Sequence, residues 1–261
     1  MRIFALALSL VCPLLAAVQA QVAVPKDTVD LRELPMAAPL KAPEQLLFDV
    51  IWGGWSFSWV HAGQATLDLL PTSNPKVLQI RSLAWGNSFF QSFYPVRDTV
   101  ISFVNARGMY PLAFHKIVNE GNYKARQHAE YDQKTGRVQT GDTAFSVPSF
   151  SHDVLSAFYY IRTQPLAVGK SLELSAVSGK KSYKLKVLCL REETITVPAG
   201  TFKTWVIEPV LKDDGLFKAK GQLWIWVTRD ERRLPVKMQS KIPVGSVKAE
   251  LVQIGSRSDR D

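Results

Sequence analysis

From Leu46 onward, apolar and polar residues alternate in short runs broken by turn residues. This is the period-two pattern of strands that bury one face. In Lys181–Val187, Tyr183, Leu185 and Val187 take one face while Ser182, Lys184 and Lys186 take the other. The pattern predicts strands at Leu46–Trp52, Trp55–His61, Gly63–Leu70, Lys76–Ala84, Arg97–Val104, Met109–Val118, Gly121–Asp132 and Arg137–Thr140. It continues through Ser171–Val177, Lys181–Leu190, Glu193–Val197, Thr201–Leu211, Lys220–Thr228, Leu234–Ile242 and Gly245–Ile254. Gly53-Gly54, Pro71–Pro75, Asn105–Gly108, Gln133–Gly136, Pro198–Gly200 and Asp213–Gly215 supply the turns. No repeat of fixed period is present, which argues against a propeller or solenoid. The expected fold is all-β: a large antiparallel roll, or a half-closed or closed barrel, with one inserted helix at about residues 151–163.

That helix breaks the alternation. Ser151 suits the N-cap and Asp153 the first turn. Val154, Leu155, Phe158 and Ile161 then share a helical face, Arg162 brings a favourable charge to the last turn, and Gln164-Pro165 stops the helix.

Aromatic residues are concentrated in a few strands and one loop. Trp55, Phe57 and Trp59 alternate on one face, Trp52 ends the preceding run, and Trp224 and Trp226 share a face opposite Leu223, Ile225 and Val227. A strand apolar on both sides must meet helix, sheet or ligand on at least one of them. Trp85, Phe89 and Phe90 add aromatics in a loop between strands. Trp52, Trp55, Phe57, Trp59, Trp85, Phe89, Phe90, Trp224 and Trp226 are therefore the candidate ligand-binding residues. They either line a cavity for an acyl chain or hydrophobic peptide, or fill a large β core.

Composition narrows the setting. Residues 1–20 read as a secretory signal peptide with cleavage near Ala20: an early arginine, an apolar run, then Val18-Gln19-Ala20. Residues 21–45, with Pro25, Pro35, Pro39 and Pro43, read as a flexible lead-in to a single β-rich domain at 46–255, and 256–261 as a polar tail. Cys189 is then the mature chain's one cysteine, so no internal disulfide is expected; its apolar run points to a buried, inert thiol. The formal net charge is +9. Residues 161–261 carry 19 Lys+Arg against 11 Asp+Glu, compared with 13 against 12 before them. An exported basic surface suits anionic envelope components. Nucleic-acid motifs are absent from the sequence, and outward lysines on the strands argue against a membrane-spanning barrel.

Reaction chemistry is sparse. The sequence has neither a Gly-x-Ser-x-Gly elbow nor a His-Glu-x-x-His pair. His128 and Glu130 share a strand face at metal-binding spacing but want a third ligand. His152-Asp153, beside Ser149 and Ser151, invites a catalytic reading that helix capping explains equally well. No cofactor, metal or catalytic residue is expected.

Several blocks carry a resemblance: F-D-V-I-W-G-G with A-G-Q-A-T-L, Y-P-V-R-D, P-L-A-F-H-K-I-V-N-E-G-N-Y, D-V-L-S-A-F-Y-Y-I-R, V-P-A-G-T-F-K-T-W, G-Q-L-W-I-W-V-T-R-D-E-R-R-L-P-V-K-M and G-S-V-K-A-E-L. In this order they resemble a bacterial exported family that carries only a domain-of-unknown-function label. Some of its members bear an exonuclease-subunit name, which nothing in this sequence supports. The resemblance implies a roll- or barrel-like β domain with an inserted helix, and no catalytic residue. The expectation is thus an exported, non-catalytic cell-envelope protein of the periplasm that binds a lipid or other amphiphile, in the manner of a lipid carrier. A dry-core interaction module is the alternative and an envelope hydrolase the third reading.

Overall fold

The computed structural model describes residues 23–25, 40–54, 59–211, 222–242 and 245–255. The first half of the chain is a meander: β1 (Glu44–Gly53), β2 (Val60–Pro71), β3 (Val77–Gly86), a single helical turn α1 (Ser88–Gln91), β4 (Arg97–Asn105), β5 (Pro111–Glu120), β6 (Tyr123–Asp132), β7 (Arg137–Thr140) and β8 (Thr143–Ser146). Helix α2 (Val154–Thr163) follows. The second half is another meander: β9 (Ser171–Ser178), β10 (Lys181–Val197), β11 (Gly200–Leu211), β12 (Leu223–Thr228), β13 (Pro235–Ile242) and β14 (Gly245–Ile254).

All fourteen strands form one antiparallel sheet in the order β8-β7-β6-β5-β4-β3-β2-β1-β14-β13-β12-β11-β10-β9. The two meanders join where β1 pairs β14, with Val50 opposite Ala249 and Trp52 opposite Val247. The sheet is not closed: β8 and β9 are its two ends and are not hydrogen-bonded to each other. α2 is the connection between them, and a bridge from His152 to Ala176 ties its start to β9. This is the half-closed form of the expected roll or barrel.

Two expected strand breaks turn out to be bulges. Gly63 does not begin a strand; β2 runs through it, and the register slips where Val50 and Ile51 face Gly63 and His61, leaving Ala62 extra. β10 likewise runs continuously from Lys181 to Val197, with Leu190 the extra residue. Bulges of this kind bend a strand without ending it, and a curved sheet needs them. The short strand β8 and the turn α1 were not foreseen. Trp55–Ser58 and Asp213–Gly215 lie outside the described residues.

The main core alternates along its strands as the sequence does: Leu46, Phe48 and Val50 from β1, Ala65, Leu67 and Leu69 from β2, Val247, Ala249 and Leu251 from β14. α2 contributes Leu155 and Tyr159 to this cluster, and Ala157 and Ile161 to a second one with Val187, Ile207 and Val227. Cys189 is buried in that second cluster, and burial, with Glu192 adding to it, raises its thiol pKa as expected of an inert side chain.

The helix differs from its expected form in three respects. Asp153, not Ser151, is the N-cap: its carboxylate accepts from the amides of Leu155 and Ser156. Ser151 is buried; its hydroxyl donates instead to the Pro148 carbonyl and can accept from the Ser175 hydroxyl 2.8 Å away. Val154, the first residue of the helix, is 64% exposed and does not join the buried face expected of it. Arg162 does more than complement a helix end. It is fully buried and forms a two-pronged ion pair with Glu44, both N···O distances 2.8 Å. The lead-in therefore does not stop short of the core: Glu44 holds the helix, and Leu40 and Ala42 pack on the main cluster. No helix among the described residues is long and apolar enough to cross a membrane.

Candidate functional site

Antiparallel pairing sends the same set of strand ends to one rim of the sheet. The end of β1, the start of β2, the end of β3, the start of β4, the end of β5 and the start of β6 lie there. So do the start of β14, the end of β13 and the start of β12. α1 is fixed to this rim because the Asn87 amide donates to the Ala62 carbonyl, while the Asn87 side chain caps the Phe90 amide.

Large apolar side chains are exposed at this rim to an unusual degree. Phe89 is 66% exposed, Phe93 60%, Tyr123 50% and Trp59 49%, and Val60 is exposed beside Trp59. Phe89, Phe90 and Phe93 form a three-ring cluster with centroids 5.3–5.6 Å apart. α1 is too short to bury a face, so its phenylalanines pack on one another and on solvent. Trp59 lies flat on Gly53: a Cβ on that glycine would come within 2.9 Å of the indole ring. The Lys248 ammonium sits 4.8 Å over the same ring, and the Lys241 ammonium 5.4 Å over Trp224, each a cation–π contact. Arg97, Lys124, Lys181 and Lys241 are exposed at this end of the sheet, against the exposed acid Asp142. The rim thus joins an aromatic surface to a ring of positive charge.

Beneath it lies a buried pair of acids. Asp98 accepts from the Asn119 amide at 2.6 Å, and a bridge from Val96 to Glu120 closes the strand ends above it. Burial first, then the charge of Asp98, pushes the Glu120 carboxyl up to about 7, with Lys116 opposing. The Tyr94 ring covers Gly121, whose positive φ of 55° lets the chain turn tightly there.

The expected ligand-binding aromatics divide by depth. Trp226 is buried in the main core, its indole N–H donating to Glu193 at 3.2 Å. Trp52, Trp85 and Trp224 are half-buried against that core. Trp59, Phe89 and Phe90 belong to the exposed rim, and Trp55 and Phe57 lie outside the described residues. Trp226 aside, the described ones lie at the rim: Trp52, Trp85 and Trp224 at the rim ends of their strands, Trp59 just before β2, and Phe89 and Phe90 in α1. Phe93 and Tyr123 were missed as candidates; the aromatic run through Phe93-Tyr94 was the available signal for the first.

Two clefts among the described residues lie elsewhere. One of about 220 Å3 is lined by Glu192, Glu193, Thr194, Lys203, Thr204 and Arg229. Another, about 440 Å3, adjoins it at Thr201, Phe202, Thr228 and Asp230. Neither touches an expected aromatic.

The residues of the suspected catalytic reading divide: Ser149 is exposed, while Ser151, His152 and Asp153 are buried, with Ser102 and Ser156 buried beside them. Ser102 donates to Asp153 at 2.6 Å, and His152 stacks on Tyr160 with its Nδ1 3.3 Å from Ser156 Oγ. Burial raises the Asp153 pKa while Ser102 and the capped amides oppose it. These contacts dock α2 onto β4 and β9.

The profile of a family described as a protein of unknown function (DUF3108) matches residues 47–252. The chain belongs to that family. A β-barrel-like protein of domain of unknown function DUF1849 from Brucella abortus is similar in structure, with a TM-score of 0.52 at 10% identity over 82% of this chain and 97% of its own. That likeness speaks to the fold alone. A DUF1089 family protein from Pseudomonas aeruginosa aligns over 71% of this chain and 92% of its own at 15% identity, with a TM-score of 0.37, too slight to bear on fold or function. No curated protein matches the chain.

Proposed function

We propose that this member of the DUF3108 family is an exported, non-catalytic cell-envelope protein that binds an anionic amphiphile at its aromatic rim. One observation carries the reading: Trp59, Val60, Phe89, Phe93 and Tyr123, most of the large apolar side chains exposed among the described residues, gather at one end of the sheet. Scattered single exposures are ordinary, whereas a clustered patch marks an interaction surface. Lys241, Lys248 and Arg97 around it suit an acidic headgroup, while the phenylalanines suit an acyl chain. The lipid-carrier idea moves with it, from a central cavity to the rim. The signal-like residues 1–20 support an exported setting.

Burying a phenylalanine side chain is worth about 1.5–3 kcal/mol, so each rim ring removed should weaken binding roughly tenfold or more. The test is flotation of the protein with vesicles of anionic or zwitterionic lipid, comparing wild type with the triple substitution Trp59→Ala, Phe89→Ala, Phe93→Ala. Selective flotation with anionic vesicles, lost in the folded triple variant, is expected. Equal flotation of both proteins would refute the rim. A second reading rests on the outer edges of the end strands β8 and β9, the latter partly occupied by the His152 bridge, onto which a partner protein could add a strand. In that case crosslinks to a partner would map to Thr143–Ser146 or Ser171–Ser178 and not to the rim.

A further inference from the structure

His115 on β5 and His128 on β6 stand directly opposite each other across the antiparallel ladder. Their Nδ1 atoms are 3.0 Å apart, with the rings tilted by 35° at a centroid distance of 4.3 Å. The other nitrogen of His128, Nε2, lies 3.2 Å from Glu130 Oε1. A carboxylate there holds the ring proton on Nε2, which leaves the His128 Nδ1 lone pair aimed at His115. In the metal-free protein the His115 Nδ1 proton fills the space between the two rings. When His115 carries its single ring proton on Nε2 instead, both Nδ1 atoms present lone pairs and can act as neutral ligands to a metal ion.

We propose that His115 and His128 form a chelate for a divalent first-row transition metal, with Cu(II) the best fit, and that Glu130 is its positioning residue. The bite sets the preference. With metal–nitrogen bonds of about 2.05 Å, donors 3.0 Å apart subtend about 94° at the metal. That is a cis angle of a tetragonal or octahedral ion; a tetrahedral site wants donors roughly 0.3 Å further apart. Imidazole pairs in tetragonal geometry favour Cu(II), which also stands highest in the general affinity order. The carboxylate–histidine–metal arrangement is the usual way a protein fixes a ligating tautomer and raises its basicity.

The surroundings leave the other coordination positions to water. No group of three or more His, Cys, Asp or Glu side chains converges on a common position among the described residues. Ile101 lies opposite His115 on β4, and Phe103 meets the His115 ring edge-on at 6.3 Å, walling one side. Arg126 and Lys124, two and four residues before His128, are cations on the same strand face and lower the affinity somewhat. His128 and Glu130 are exposed, so the ion would exchange freely with solvent. The site is on the outer face of β5 and β6, away from the rim, and stands or falls independently of lipid binding.

The experiment is titration of tag-free protein with Cu(II) in a non-coordinating buffer against a competing chelator, with electron paramagnetic resonance at one equivalent. One Cu(II) per chain is expected, with splitting from two imidazole nitrogens. His115→Asn or His128→Asn should each lower the affinity at least tenfold, and the double variant should lose the two-imidazole signal. Glu130→Gln should weaken binding roughly 10–100-fold while keeping the spectrum, as a positioning role requires and a ligand role does not. His128 and Glu130 are exposed and His115 is half-buried, and an unchanged circular dichroism spectrum confirms folding. Undiminished Cu(II) binding by the double variant, or a spectrum of backbone amide and amine ligands in the wild type, would overturn the assignment.

Discussion

Removing Glu44 tests whether α2 is held by charge. The Arg162 guanidinium is fully buried and makes four hydrogen bonds: two to Glu44 at 2.8 Å, one to the Arg233 carbonyl at 2.9 Å and one to the Arg232 carbonyl at 3.0 Å. It also stacks 4.7 Å over Tyr159, and Arg233 returns a bond to the Arg162 carbonyl at 3.0 Å. Glu44→Ala leaves a buried cation with neutral acceptors only. Deleting one partner of such a pair costs about 3–5 kcal/mol. For a chain of this size that lowers the melting temperature by about 6–20 °C. Replacing the pair together, Glu44→Gln with Arg162→Met, removes the stranded charge and should recover part of the loss. Recovery stays incomplete because the Arg232 and Arg233 carbonyls then lose their donor. The assay is calorimetric or near-ultraviolet melting of the three proteins at low and high salt. A buried pair is barely screened, so the loss in Glu44→Ala should be independent of salt. A loss below about 1 kcal/mol, or one that vanishes in high salt, would refute the account.

Two further outcomes follow from the rim. Glu120 has its carboxyl raised to about 7 in the folded chain, so folding favours the proton, and stability is greatest at low pH and falls as pH rises from about 4.5 through 7. The decline should be about 2–3 kcal/mol in urea midpoints measured from pH 4.5 to 8, and Glu120→Gln should flatten it; a flat wild-type profile would contradict this. Gly53→Ala should push the Trp59 ring off its seat, since the new Cβ would sit 2.9 Å from it. Tryptophan fluorescence should change with little loss of stability, and no spectral change would mean the ring does not rest there.

The strand pattern was legible because one face of nearly every strand is buried and a one-residue slip would expose it. Leu46, Phe48 and Val50 show the rule directly. Bulges were not legible: Ala62 and Leu190 add a residue without a turn signal, so β2 and β10 read as broken. The helix was visible from periodicity and its stop, but its start was ambiguous between Ser151 and Asp153, which both cap well. What decided it was Ser102, 51 residues away, meeting Asp153 in the interior. Arg162 illustrates the same limit. A basic residue in a last turn ordinarily faces solvent, and only the arrival of Glu44 from β1 makes its burial possible.

Spacing along the strands could not say which aromatic rings face solvent. Alternation placed Trp224 and Trp226 on one face, yet Trp226 is in the core while Trp224, two residues nearer the strand end, is half-exposed beside Lys241. Depth along a strand, not face, separates the two, and depth depends on register with partners distant in sequence. The same geometry explains why the rim can carry function without weakening the fold. Arg162 and Glu44 anchor α2 near the far end of the sheet, where β1 begins. Phe89, Phe93 and Trp59 lie outside every core cluster. Substitutions at the rim should therefore separate binding from stability, whereas substitutions around α2 should change stability first.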